Sequence, residues 1–330
     1  MEIPIWRTAA FRVATCLVAA LSAIHANSQS SPDPLAAVRA LVEEGKLAES
    51  EAATRTYLSG NPDSADGHFL LGYILFREHK ARESLAEFTA GAKYRHPAPD
   101  ELKIVASDYV LLDDFVDADK WFSEVVAETP NDANAHYLLG RTKFNENDYP
   151  GAIASFGQAL ALQPKYVEAE NNIGLAWREL NDFEKAKAAF KIAIEWQGQN
   201  PNDAQPFLNL GKLLDDRHQP EEAIAYLTRA AELAPGNPTV HEELSHVYAA
   251  QQNLPSAQAE LEKAIALAPN ISSLHYQLGQ IFRKQGQTAR AQKEFEQTAK
   301  LSGSHSSEKT PNPPSIRDAT NVERHDPSPQ

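Results

Sequence analysis

Apolar residues recur along most of the chain at the spacing of an α-helix, in stretches of about a dozen residues separated by short polar segments. Ile153, Phe156 and Leu160 show this spacing on one face of such a stretch. The polar pair Asn147-Asp148 separates that stretch from the apolar stretch before it. The pattern therefore predicts pairs of amphipathic helices joined by tight turns.

Four series of residues repeat along the chain with one common interval. Small residues stand 34 positions apart and continue after one step of 37, at Gly72, Ala106, Gly140, Gly174, Gly211, Ser245 and Gly279. The same steps connect Ala118, Ala152, Ala186, Ala223, Ala257 and Ala291, and also Phe122, Phe156, Phe190, Leu227, Leu261 and Phe295. Prolines close units at Pro130, Pro164, Pro235 and Pro269. Because chance would not keep four series in phase, each interval is interpreted as one structural unit.

The order of these residues within a unit resembles the tetratricopeptide repeat, with Leu139-Gly140, Ala152, Phe156 and Pro164 as the best example. The resemblance implies an all-α, right-handed superhelical solenoid of about eight helix-turn-helix units over residues 27–305. We place the units near residues 31–64, 65–98, 99–132, 133–166, 167–203, 204–237, 238–271 and 272–305.

Local signals predict three details of these units. Glycine inside a helix costs about 1 kcal/mol against alanine, so the recurring small-residue position is expected to allow two helices to approach closely. Asp132 and Asp203 are placed to cap the helix that follows each of them. The three extra residues of the fifth unit lie within Gln197–Asn200 and predict a lengthened turn.

Residues 1–26 have the layout of a secretory signal peptide. Arg7 and Arg12 form a short basic region, an uncharged apolar run covers residues 13–24, and Ala26 offers a small residue for cleavage. The run is shorter than the ~20 residues of a membrane-spanning helix. We expect an exported chain, periplasmic or secreted, with no membrane span after cleavage. A buried N-terminal helix and an uncleaved anchor are the alternatives.

Composition excludes several classes of protein. The formal net charge of −14 argues against a general nucleic-acid binder, which would carry a basic surface. A single cysteine, Cys16, rules out an intramolecular disulfide framework and a cysteine-rich zinc site. Met1 and Cys16 both lie in the predicted signal, so the mature chain is expected to contain no sulfur. Residues 306–330 are polar and proline-containing and are predicted to be disordered.

No catalytic motif, metal site or cofactor is predicted. His241 and His246 flank a segment that resembles a zinc-binding motif, but a spacing of five places them about 140° apart on a helix, and not on one face. No glycine-rich phosphate loop is present, and no region of domain size lies outside the repeats. We therefore predict a chain that is not an enzyme and has no small-molecule substrate. An enzyme with a site hidden on the repeat surface is the weakest alternative.

The resemblance implies that first helices line a concave groove that binds another protein or a peptide. The aromatic and polar residues that it places on this groove are Phe69, Tyr73, Phe76, Tyr137, Arg141, Phe144, Asn172, Arg178, Asn209 and Lys212. Aromatic residues and arginine are enriched at binding hot spots. In the alternative interpretation, the phenylalanines pack against neighbouring helices and the asparagines are merely solvated.

The carboxylate-clamp subtype of the family is not matched, because Leu138 stands where that subtype needs an asparagine. We therefore expect a non-catalytic scaffold for protein–protein interaction that binds a peptide segment or a partner protein in its groove. An assembly component of an envelope or polysaccharide export machine is the second hypothesis.

Overall fold

The computed structural model of the chain describes residues 33–306. Every regular element in this range is a helix, and the sixteen helices follow one another in eight pairs. The helices are α1 (Ala36–Glu43), α2 (Leu47–Gly60), α3 (Ala65–Arg77), α4 (Ala81–Ala92), α5 (Pro99–Leu111), α6 (Phe115–Glu128), α7 (Ala133–Asn145), α8 (Tyr149–Leu162), α9 (Val167–Glu179), α10 (Phe183–Trp196), α11 (Gln205–Asp216), α12 (Pro220–Leu233), α13 (Pro238–Ala250), α14 (Leu254–Leu267), α15 (Ser272–Lys284) and α16 (Thr288–Ser306).

The helices divide into two compact units, with the boundary after Trp196. From α3 onward each helix packs most extensively on the other helix of its pair. One apolar cluster of the first unit surrounds Phe69, Ile74 and Phe88. One in the second unit surrounds Leu261 and the buried face of α15. An all-α helical-repeat solenoid is therefore confirmed for the part of the chain that the structure describes.

A residue in the left-handed region reverses the chain between the two helices of every pair. Glycine fills this position in the first and last pairs, at Gly45 and Gly286. The other six pairs use His79, Asp113, Asn147, Asn181, His218 and Gln252, with φ between 57° and 64°. When the residue after a helix adopts left-handed dihedral angles, the backbone N–H groups that follow the helix can bond to its last carbonyl groups. The turn is thus built the same way in all eight pairs.

Close contact explains the recurring small residue, as predicted. A Cβ atom added to Gly140 would lie 2.6 Å from the ring of Phe156. At Gly174, the added atom would lie 2.5 Å from the ring of Phe190. Real Cβ atoms do not approach other atoms so closely, so the aromatic ring of each second helix occupies the space of a side chain on the first. The cost of glycine in a helix is offset by the burial of this ring.

The predicted capping residues both accept backbone hydrogen bonds. Oδ1 of Asp132 accepts from the N–H groups of Asn134 and Ala135, at 2.9 and 3.1 Å. Asp203 accepts from Gln205 N–H at 2.9 Å, although α11 begins one residue later than this position would suggest. Both contacts satisfy donors that the first turn of a helix leaves without a partner.

The lengthened turn of the fifth repeat covers residues 197–204. Its reversal uses Gly198, with φ of +67°. The Gln197 side chain supplies hydrogen bonds to the backbone of this turn. Its Oε1 accepts from the N–H groups of Asn202 and Asp203, and its Nε2 donates to the Asp203 carbonyl. A single side-chain amide therefore holds the turn before α11. The sequence predicted the extra length of this turn but not the hydrogen bonds that hold it.

Histidine ties three chain segments together in three of the pairs. His241 Nδ1 lies 2.7 Å from Glu260 on the second helix, and its Nε2 lies 3.2 Å from the carbonyl of Pro235, which closes the previous pair. His68 and His275 make the same two contacts in their own pairs. His136 contacts only the proline carbonyl, because Ser155 stands where the other pairs have glutamate. These histidines have a packing role.

One carboxyl group is buried in the apolar interior of the first unit. Asp108 on α5 is 0% exposed, and neither of its oxygens has a hydrogen-bond partner within the described residues. The Ser84 hydroxyl lies beside it but donates to the Gly72 carbonyl at 2.8 Å. Burial raises the pKa of Asp108 to about 8, against a smaller lowering by Ser84. At neutral pH the side chain is therefore mostly a neutral acid.

The predicted signal peptide at residues 1–26 lies outside the described residues, and so does nearly all of the predicted tail at 306–330. Among the helices that the structure does describe, none combines the length and apolar content needed to cross a bilayer.

Candidate functional site

First helices of neighbouring pairs lie side by side. Within the first unit α3 contacts α5 and α7 contacts α9, and within the second α11 contacts α13. The ten residues predicted to bind a partner lie on α3, α7, α9 and α11. Within each unit, neighbouring first helices thus present a surface on which the predicted residues can be compared.

An apolar cleft opens between α1, α3 and α5. Its volume is about 60 Å³, and it is lined by the apolar side chains of Phe69, Leu70, Tyr73 and Ile104 together with the charged residues Arg39, Asp66, Asp100 and Glu101. Phe69 is only 3% exposed, because its ring stacks on Phe88 with centroids 5.7 Å apart. Phe69 therefore forms the floor of the cleft and belongs to the core at the same time.

Tyr73 lies at the edge of this cleft and is 7% exposed. Arg77, one turn further along α3, donates to the Tyr73 hydroxyl at 3.0 Å and lies 5.8 Å above its ring. Among the described residues, no carboxylate forms an ion pair with Arg77, and its recorded contacts are with Tyr73. Phe76, the third predicted residue of this helix, is half-buried against the core of the first unit.

A second aromatic cluster surrounds Tyr137 on α7. The ring of Tyr137 lies 4.9 Å from that of Tyr166, and Arg141 lies 5.9 Å from the Tyr137 ring centroid. Phe144, one helical turn beyond, meets Tyr149 edge-on at 5.3 Å. All three predicted residues of α7 are half-buried, so each keeps part of its surface accessible.

The two predicted asparagines are buried. Asn172 is 3% exposed and donates to the Tyr137 hydroxyl at 3.2 Å, which links α9 to α7. Asn209 is 2% exposed, and its Oδ1 accepts weakly from Gln205 at 3.4 Å. Burial contradicts the alternative interpretation, in which these amides are merely solvated, and it also leaves neither amide exposed for the partner that the resemblance implies. Asn172 also positions the tyrosine that stands at the centre of the second cluster.

The two remaining predicted cations are paired with carboxylates. Arg178 lies 2.9 Å from Glu179, its neighbour in the chain. Lys212 Nζ lies 2.6 Å from Glu243 on the next first helix. In the same second unit, His246 contacts Asp215 at 2.7 Å. Charged groups on the first helices of the second unit are thus largely used to join those helices to one another.

Lys103 on α5 is a buried cation of this surface that sequence reasoning did not select. It contacts Asp132 and Asp100, the latter at 3.0 Å. Burial opposes its charge, but the two carboxylates outweigh burial and raise its pKa. Burial likewise opposes the charge on Asp132, while Lys103 and the capped N–H groups lower its pKa. No short sequence motif indicates the Lys103–Asp132 pair, because Lys103 on α5 and Asp132 before α7 are separated in the chain by the whole of α6.

The two histidines of the segment that resembles a zinc-binding motif are held by different partners. His241 and His246 contact different carboxylates, Glu260 and Asp215, and so do not converge on one ion. Among the described residues, one group brings metal-ligating atoms close together, and its members His96, Glu124 and Glu128 lie outside this surface.

Three sequence models described as tetratricopeptide repeats match the chain. The matched residues are 35–101, 137–204, 216–280 and 272–305. Together these ranges cover more than half of the chain and both compact units.

Curated relatives are distant and much longer than the matched region. The human protein O-mannosyl-transferase TMTC1 is 27% identical over 189 residues, which are 56% of this chain and 21% of that protein. The peroxisomal targeting signal receptor of Pichia angusta is 27% identical over 199 residues, or 56% of this chain and 33% of the receptor. The chain therefore spans no more than about a third of the length of these relatives.

Solved structures share the fold at low identity. A tetratricopeptide repeat protein from Parabacteroides merdae has a TM-score of 0.62 and 18% identity, over 75% of this chain and 97% of that one. Yeast Tom70 has a TM-score of 0.60 and 16% identity, over 77% of this chain and 55% of that one. These similarities support the fold alone.

Proposed function

We propose a function from one premise: the chain belongs to the tetratricopeptide repeat family, whose fold serves as a scaffold for protein–protein interaction. On this scaffold, the proposed function is non-catalytic binding of a peptide segment or partner protein by the first helices of the first unit. The surface consists of the Tyr73 cleft and the Tyr137 cluster.

One observation carries this proposal. Tyr73 with Arg77, and Tyr137 with Arg141, form two tyrosine–arginine pairs at i, i+4 on first helices. An arginine held over an aromatic ring loses little further side-chain freedom when it binds, so less free energy is spent on ordering it. Arginine and tyrosine are also the residues that most often dominate the free energy of protein–protein binding.

The apolar cleft adds specificity to these pairs. About 60 Å³ accommodates the end of one apolar side chain, with Ile104 and Leu70 in its wall. Asp66 and Glu101 at the rim are held by Arg95, at 2.9 and 2.8 Å. A partner would therefore place an apolar side chain in the cleft and meet the arginines with polar or acidic groups.

Alanine substitution on full-length chain tests the proposal, with a position-matched control. Arg141 and Lys212 occupy the same position in their repeats, but Lys212 lies on α11 in the second unit, outside the proposed surface. Proteins captured from the native extract by the wild-type chain are identified, and their affinities are then measured. We expect Arg141→Ala to weaken a specific partner about 30-fold, as for a hot-spot residue, and Lys212→Ala to weaken it less than threefold.

Equal affinity of wild-type and Arg141→Ala chains for every specific partner would contradict the proposal. Circular dichroism and melting temperature verify that both variants are folded. Replacement of Tyr276, which stands at the position of Tyr137 but lies in the second unit and is 51% exposed, provides a further control. We expect Tyr276→Ala to retain binding.

The place of action is proposed from the N-terminal sequence. Arg7, Arg12 and the apolar run at 13–24 support export, with cleavage after Ala26. N-terminal sequencing of the chain recovered from its own cells tests this, and a mature terminus at Asn27 is expected. Recovery of the chain with Met1 in the cytosolic fraction would overturn it.

A further inference from the structure

Three potential metal ligands from two helix pairs converge on the outside of the first unit. His96 lies in the segment between α4 and α5, and Glu124 and Glu128 lie one turn apart on α6. One ligand atom from each residue lies within 4.8 Å of the other two. His96 Nε2 is already 3.4 Å from Glu128 Oε1.

The backbone that presents His96 is held on both sides. Arg95 contacts Asp66 and Glu101 at 2.9 and 2.8 Å and lies over the Phe69 ring at 4.5 Å. Arg95 also donates to the carbonyl of His96 at 3.1 Å. The imidazole itself has 66% of its side chain exposed and is free to bind an ion from solvent.

The two glutamates stand where a carboxylate is unfavourable without a cation. Glu128 is the last residue of α6, at the negative end of the helix dipole. Glu124 precedes it by four residues, so two like charges face each other on one side of the helix. Each effect costs a few tenths of a kcal/mol. Together they show that local helix stability does not explain this pair of residues.

Other repeats do not share the arrangement. At the two positions of Glu124 and Glu128, the other second helices from α8 to α16 carry Gln158 and Leu162, Ile192 and Trp196, Arg229 and Leu233, Lys263 and Leu267, and Gln297 and Leu301. The last residue of α8, α10, α12 and α14 is leucine or tryptophan, whereas α6 ends with a glutamate. The carboxylate pair is therefore specific to the helix that faces His96.

Charge balance at this site lacks a cation. Within residues 33–306, no lysine or arginine forms an ion pair with Glu124 or Glu128. Lys120, one turn before Glu124 on α6, lies 5.5 Å from the Trp121 ring centroid, and His96 is the basic group that contacts Glu128. We propose that His96, Glu124 and Glu128 bind a divalent transition-metal ion of the zinc class, with water completing the coordination.

The donor set determines the class of ion. Zinc binds imidazole nitrogen and carboxylate oxygen at about 2.0–2.2 Å and accepts three protein ligands plus water. Calcium and magnesium take oxygen ligands, so the imidazole disfavours them. Bound metal would neutralise the two carboxylates and connect the segment after α4 to α6, which stabilises the folded chain against the unfolded one.

Calorimetric titration of zinc chloride into the full-length chain tests the proposal. We expect one site whose affinity falls at least tenfold in His96→Ala and in Glu124→Gln, with each variant as well folded as wild type. His246→Ala is the matched control, because His246 is similarly exposed and also faces a carboxylate. This control is expected to keep the wild-type affinity.

A second measurement separates this site from histidines elsewhere in the chain. Zinc should raise the melting temperature of the wild-type chain and of His246→Ala, but not that of His96→Ala. Zinc binding of equal strength in wild-type and His96→Ala chains would overturn the proposal, as would the absence of any zinc binding. The same titration with magnesium chloride is expected to show no binding.

Discussion

The two compact units use the same repeat to present different surfaces. In the first, Tyr137 and Arg141 form an aromatic–cationic pair on α7. At the same positions of α15 in the second unit stand Tyr276 and Gln280, without a cation over the ring. Lys212, which shares the position of Arg141, is paired with Glu243 on the neighbouring helix.

This difference shows how one scaffold separates stability from recognition. Glycine and aromatic residues that pack the two helices of a pair recur in both units, so they carry no information about a partner. Residues on the exposed side of the first helices are free to vary. In the second unit they connect adjacent repeats, as in the Gln277–Glu242 contact of 2.6 Å. In the first unit they also connect adjacent repeats, as in the Asn172–Tyr137 contact of 3.2 Å, and they place two arginines beside tyrosines.

The largest expected effect on the free energy of unfolding concerns a buried position at which the two units carry different residues. Asp108 occupies the position that Leu213, Val247 and Ile281 fill in the second unit. Its pKa of about 8 exceeds the unfolded value of 3.8, so the folded chain retains a proton that the unfolded chain has lost. This contribution to stability is complete below about pH 4 and is lost as the pH rises to about 8.

Asp108→Asn should remove this dependence, because the amide resembles the neutral acid. The difference in unfolding free energy between wild-type and Asp108→Asn chains should change by up to about 1.4 kcal/mol per pH unit between pH 4 and pH 8. The variant becomes the more stable of the two toward pH 8. Urea unfolding across this range measures the difference. A constant difference at every pH would show that the folded chain does not hold this proton.

The close helix contact should be equally sensitive in both units. Gly174→Val in the first and Gly279→Val in the second each force a side chain into an aromatic ring, and overpacking of this kind costs about 3 kcal/mol. Urea unfolding of both variants measures the cost. Gly157→Ala is the control: no atom lies within 4 Å of its added Cβ, so a gain of about 0.5–1 kcal/mol is expected.

A smaller effect should distinguish histidines at one repeated position. His241→Ala leaves the half-buried Glu260 without one of its partners and should cost about 2 kcal/mol, as for hydrogen bonds to charged groups. His136→Ala loses only the contact with the Pro130 carbonyl and should cost about 1 kcal/mol. Thermal or urea unfolding at neutral pH compares them. Equal costs would show that the carboxylate contact contributes nothing.

Sequence periodicity predicted the parts of the structure that every repeat shares. The recurring small residue at positions such as Gly140 was expected to allow two helices to approach closely, and the lengthened turn followed from three extra residues. That the Phe156 ring fills this space was not predicted. Contacts between repeats were not predicted. Asn172 reaches the Tyr137 hydroxyl across two helices, and this depends on side-chain lengths that no periodic pattern records.

Departures from the repeat were the hardest to interpret from sequence. His96 is separated from Glu124 and Glu128 by about one repeat length, so no short motif joins them, and the sequence predicted no metal site. Asp108 was not selected because an isolated aspartate on a helix is usually solvated. Comparison of equivalent positions among the repeats is the signal that could have found both.

The central claim is that partners bind the first helices of the first unit. Amide hydrogen exchange of the full-length chain, measured alone and with a captured partner, tests it most directly. We expect slower exchange in α3 and α7, which contain the two tyrosine–arginine pairs, and unchanged exchange in α11, α13 and α15. Protection confined to α11, α13 and α15 would contradict it.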